Sequence, residues 1–120
     1  MPSIAVIEDL VENVDRAQLF LSALGNAKRV QILCILLNGE MSVGALAKAV
    51  RLSLSALSQH LATLKYLDIV STRREAQTIF YRVASPHIER ILTTLFAIYI
   101  EQAQSRAARS VDWTLTRGGN

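Results

Sequence analysis

Between Met41 and Val83 the chain reads MSVGALAKAVRLSLSALSQHLATLKYLDIVSTRREAQTIFYRV, and no other stretch restricts the possible folds as tightly. Apolar periodicity predicts a helix from about Val43 to Ala49, a short turn at Val50 to Leu52, and a second helix from about Ser53. On the second helix Ala56, Leu57, Leu61 and Leu64 share a face suited to a core, and Ser53 stands where an N-cap belongs. Ser55, Ser58, Gln59 and His60 take the other faces. These are side chains of the kind that hydrogen-bond base edges and phosphates when a helix enters a groove.

Two strand-like runs follow, Ile69 to Arg74 and Thr78 to Val83, rich in β-branched and aromatic residues and joined by polar Glu75, Ala76 and Gln77. Arg73 and Arg74 approach the tip on one strand and Arg82 leaves it on the other. A twisted two-stranded ribbon of this kind can carry arginines to backbone phosphates or to a minor groove. The order helix, turn, helix, hairpin is that of a winged helix-turn-helix.

The flanks supply the rest of the core. Leu10 to Leu24 reads as one amphipathic helix with a broad apolar face, ended by Gly25 and Asn26. Ala27 to Leu37 contains VQILCILL, stops at Asn38-Gly39, and is expected to be the buried central helix. Pro86 opens a last long helix. The expected fold is therefore mainly α with a two-stranded β wing: four helices, two strands and a fifth helix. Apolar positions on the first and last helices exceed what one small domain needs. Leu10, Val14, Leu21, Ile91, Leu95, Ile98 and Tyr99 are accordingly expected in a two-fold homodimer interface. Residues 1–104 would form the DNA-binding and dimerisation domain, and polar residues 105–120, with Trp113, a flexible tail.

Charge and composition narrow the function. The net charge is only +3, but residues 51 to 82 hold five bases (Arg51, Lys65, Arg73, Arg74, Arg82) against two acids, whereas residues 1 to 50 hold four against five. Phosphate neutralisation requires such a concentration, with Lys28 and Arg29 as further phosphate contacts or as plain surface residues. No apolar run reaches the roughly 18 residues of a membrane span, and acids stand where an export signal would carry lysines. A cytoplasmic protein with no membrane partner is expected. Two histidines, no glycine-rich phosphate loop and no nucleophile constellation argue against an enzyme.

The segment LSALGNAKRVQILCILLNGEMSVGALAKAVRLSLSALSQHLATLKYLDIVSTRREAQTIFYRV resembles the ArsR/SmtB family of bacterial repressors, in its metal-independent NolR/HlyU-like branch. The resemblance runs from about Phe20 to Ile100 and implies a homodimeric transcriptional regulator with the fourth helix in the major groove of a palindromic operator. Metal-sensing members carry thiolates on the third helix or an Asp-x-His, His-x-x-Glu set on the last. Here MSVGALAKAV has no cysteine, and the last-helix register is Ser85, His87, Ile98 and Glu101, so only His87 and Glu101 keep ligand chemistry. No metal and no cofactor are expected. Cys34 matches a redox cysteine of the family, but its partner position is Ile100. That leaves a core thiol or a single-thiol sensor. Two further departures are Leu54, where the family often has Gln, and Arg51, where a glycine is usual. A winged module that binds only protein is the alternative function.

Overall fold

The computed structural model describes residues 3–118, with two compact units, Met1–Pro86 and His87–Asn120. The expected single N-terminal helix is two. α1 (Ile4–Glu12) is capped by the Ser3 hydroxyl, which accepts from the Val6 N–H at 3.3 Å, and α2 (Val14–Leu24) follows directly. Asn13 makes the break: its backbone N–H and side-chain amide both donate to the Asp9 carbonyl, so α1 closes on Asn13. Apolar residues flank the joint on both sides, which is why periodicity ran across it.

α3 (Ala27–Leu37) is the central helix expected of it. Asn26 caps it by accepting from the Arg29 N–H, and Ile32, Leu33 and Leu36 are buried where it packs on α2 and on the elements that follow. After Asn38-Gly39 comes a strand too short to announce itself, β1 (Met41–Ser42). It pairs antiparallel with β3 (Thr78–Val83), which in turn pairs with β2 (Val70–Glu75), so the sheet has three strands in the order β1-β3-β2. The two-stranded wing is the β2–β3 hairpin, and β1 adds a third strand that two residues could not announce by alternation. Glu75 pairs with Thr78, leaving Ala76 and Gln77 as the tip.

α4 (Val43–Val50) and α5 (Leu54–Tyr66) are the helix-turn-helix, started by Ser42 and Ser53, whose hydroxyls accept from Ala45 and Ala56 N–H. Their buried residues, Leu46, Ala47 and Val50 on one and Leu57, Leu61 and Leu64 on the other, meet α3 in a core completed by Ile69 and Val70. Both helices end in the same way. Leu52 N–H reaches the Ala47 carbonyl while Arg51 reaches Lys48; Ile69 reaches Leu64 while Asp68 reaches Lys65. Each is a Schellman closure, and each puts a non-glycine residue at positive φ, 56° at Arg51 and 58° at Asp68.

That geometry carries a prediction. An L-residue in the left-handed region is disfavoured by about 1 kcal/mol relative to glycine, so Arg51→Gly is expected to raise unfolding free energy by about that amount in a denaturant titration. Duplex affinity should fall at the same time, because a cation is lost.

In the second unit α6 (Pro86–Gly118) continues as helix through the segment expected as a flexible tail. Gly119 and Asn120 lie outside the described residues. Ile88 and Leu92 are buried, whereas Ile91, Leu95, Phe96, Ile98, Tyr99 and Ile100 are exposed. Among the described residues no single helix is long and apolar enough to cross a membrane.

Candidate nucleic-acid interface

The buried leucines of α5 orient its remaining faces. Ser55, Gln59, Ala62 and Tyr66, spaced i, i+4, i+7 and i+11, form one exposed row opposite the core, with Ser58 beside it. Leu54 is exposed on the first turn, so an apolar side chain stands free at the N-terminal end of this helix. His60 differs from its neighbours: it is half-buried at the edge of the core face. Tyr66 is the last residue of α5 and 84% exposed. Nothing in the local pattern marked it, since the helix closes on Leu67 and Asp68 without a glycine.

Arg51 and Lys65 are both exposed at the two ends of this unit, Arg51 in the turn before α5 and Lys65 in its last turn. Ser53 is exposed too, its hydroxyl already accepting the cap hydrogen bond.

Lys28 and Arg29 are not free surface cations. The Lys28 ammonium donates to the Val50 carbonyl at 2.8 Å, closing α4. The Arg29 guanidinium donates to the Ala23 carbonyl at 2.8 Å and the Ser22 carbonyl at 2.9 Å, closing α2. Cations at helix C-termini satisfy orphan carbonyls and the negative end of the dipole. These two residues hold the ends of α4 and α2, a structural role that their sequence context did not show.

The wing is not symmetric either. Cross-strand pairs Ser71↔Arg82 and Arg73↔Phe80 share one face, on which Arg82 donates to the Ser71 hydroxyl at 3.0 Å. On that face Arg73 is held by two carboxylates. Its Nε lies 2.8 and 2.9 Å from the two Glu40 oxygens, Nη2 lies 2.6 Å from Glu40, Nη1 lies 2.8 Å from Glu75, and its plane sits 4.4 Å from the Phe80 ring centre. Arg74 shares the other face with Ile79 and, further back, buried Val70. It is exposed and makes no hydrogen bond or ion pair among the described residues, and Gln77 is exposed at the tip. The expected pair of like arginines is thus one bound and one free.

The hydrogen bond from Arg73 holds the Glu40 carboxyl below the usual carboxylate range, and Arg73 is itself pushed up by its carboxylate partners. The sign follows: a depressed acid favours the folded form above its unfolded pKa, and that contribution is lost as pH falls through the depressed value. The pair is ionised at neutral pH.

Cys34 is half-buried, and burial pushes its thiol up, so thiolate is scarce at neutral pH. Among the described residues no three His, Cys, Asp or Glu side chains converge as a metal group. On α1 no residue is buried, and Ile4, Ile7, Leu10 and Val11 are exposed; Val14 and Leu21 on α2 are exposed as well.

Comparison with known proteins bears on this arrangement. Residues 26–72 match the family described as bacterial regulatory protein, arsR family. The chain is 42% identical over 98 residues to the transcriptional activator HlyU of Vibrio cholerae, spanning 82% of this chain and 91% of that protein. It is 52% identical over 88 residues to the nodulation protein NolR of Rhizobium meliloti, spanning 73% and 72% respectively. Among solved structures, a homodimeric winged helix-turn-helix DNA-binding domain from Mycobacterium bovis superposes with a TM-score of 0.72 at 30% identity, covering 79% of this chain and 88% of that one. The helix-turn-helix, the ribbon and these likenesses agree: the chain belongs to the ArsR family of bacterial regulatory proteins and is a DNA-binding transcriptional regulator.

Proposed function

We propose that two copies of this chain form a dimer that binds a palindromic operator and represses by occupying it, and that neither a metal nor a dithiol sets its affinity. The observation that carries the reading is the exposed face of α5, where Ser55, Ser58 and Gln59 stand opposite a leucine core with cations at both ends. Ser55, Ser58 and Gln59 read base edges, Gln59 by the two bonds its amide can make to adenine, while Leu54 meets a thymine methyl. Arg51, Ser53, Lys65, Arg74 and Gln77 contact the backbone, and His60 lies at the rim. The protein acts in the cytoplasm by binding, not by catalysis.

Dimerisation is supported by the exposed apolar residues on α1, α2 and α6, and by the homodimeric state of the Mycobacterium bovis relative. A monomer would leave those side chains in water. Two-fold symmetry then places two copies of α5 about one helical turn apart on the duplex, near 10 base pairs.

Selection of bound duplexes from a random pool tests the reading, and a palindrome is the expected product. A module that binds only protein would enrich nothing. Zinc, chelator, peroxide and reductant are each expected to leave affinity for the selected site within about twofold, since one poorly ionised thiol and two histidines make no complete sensor. A shift of tenfold or more with any of them overturns that part.

A further inference from the structure

We propose that Arg73 is a positioning residue that staples the wing to the start of the helix-turn-helix through Glu40, and that Arg74, from the opposite face of the ribbon, is the wing's phosphate contact. The proposal rests on the DNA-binding reading above and divides labour between two adjacent arginines that a charge count treats alike.

Three observations carry it. The first is prior engagement: all three guanidinium nitrogens of Arg73 lie against carboxylate oxygens, and Phe80 covers one face of the plane. A phosphate there would have to share the guanidinium with two carboxylates, since only the outer N–H of Nη1 and of Nη2 is left to it. The second is local charge. Glu40 and Glu75 offset the charges of Arg73 and of Arg82, which also lies in range of Glu40, so the cluster presents no net positive charge to attract a phosphate backbone. The third is where the partner sits. Glu40 immediately precedes β1 and lies two residues before Ser42, the cap of α4, so the bidentate pair ties the middle of β2 to the first helix of the DNA-binding unit. A planar fork fixes an angle in a way a lysine point charge cannot. Arg74, exposed on the ribbon face that carries buried Val70, is free to reach outward.

The test is a salt series on the full-length protein with mixed-sequence duplex DNA, comparing the parent with Arg74→Ala, Arg73→Ala, Arg73→Lys and Glu40→Gln. Each lost phosphate contact makes the slope of log affinity against log salt shallower by about 0.9. Arg74→Ala is expected to lose about that much per protomer. Arg73→Ala and Glu40→Gln are expected to keep the parental slope while binding several-fold more weakly. A protein carrying both Arg73→Ala and Glu40→Gln should be no weaker than either single variant, and Arg73→Lys should fail to rescue. The affinities are read well below the melting temperature, so a fold defect alone moves neither the slope nor the coupling.

Three results overturn the proposal: a shallower slope for Arg73→Ala that lysine restores, tighter binding with a steeper slope for Glu40→Gln, or a parental slope for Arg74→Ala. A parent protein that ignores every duplex defeats the DNA reading itself, a result distinct from all three.

Discussion

Leu95→Glu is expected to convert the protein to a monomer and to lower its affinity for a palindromic site by about 10²- to 10⁴-fold, the range lost when two linked binding events become independent. Leu95 lies on α6 between Ile91 and Ile98, at i, i+4 and i+7 of one exposed apolar face. In an isologous interface each substitution occurs twice, so two carboxylates would be buried close to the symmetry axis. Desolvating each costs several kcal/mol without a partner cation. Leu10→Glu on α1, where Leu10 is 60% exposed and its helix buries nothing, is expected to act in the same way. Because both residues are exposed in the single chain, the fold should survive, with circular dichroism close to parental. Sedimentation velocity and duplex titration give the readout. A variant that remains dimeric and keeps parental operator affinity would exclude this face from the interface.

The parts of this fold that were legible in the sequence are those whose signal is local and repeated. The α5 helix announced itself through Leu57, Leu61 and Leu64 at helical spacing and Ser53 at its cap, and α3 through an apolar run closed by Asn38-Gly39. Less was legible where one residue carries the information. Asn13 divides the N-terminal helices with two hydrogen bonds to Asp9, and β1 exists only because Met41 and Ser42 meet Tyr81 and Phe80 across the chain. Arg51 and Asp68 close helices in a conformation normally given to glycine, so the composition of those turns offered no warning. The cations were the most misleading. A sequence shows how many there are and not what they touch, and the partner of Arg73 is Glu40, 33 residues away. Lys28 and Arg29 were likewise committed to carbonyls at the ends of other helices.

The second large effect concerns base reading. Gln59→Ala is expected to relax sequence preference at one position of each half-site with little change in salt dependence. Gln59 is exposed in the middle of the outward row of α5, between Ser55 and Ala62, and its backbone carbonyl also accepts from the Thr63 hydroxyl. A bidentate amide-to-adenine pair discriminates against the wrong base by about 1–3 kcal/mol, or about 5- to 150-fold. On a palindrome the loss occurs in both halves, so the selected site should weaken by about 30-fold or more relative to a scrambled duplex. The salt slope should match the parent because no cation is removed. This separates base reading on α5 from phosphate contact at Arg74, and competition between matched and single-mismatch duplexes measures it directly. Should Gln59→Ala discriminate all base pairs as sharply as the parent does, the reading helix would have to be docked through another face, with Leu54 and Ser58 in place of the Ser55–Gln59 row.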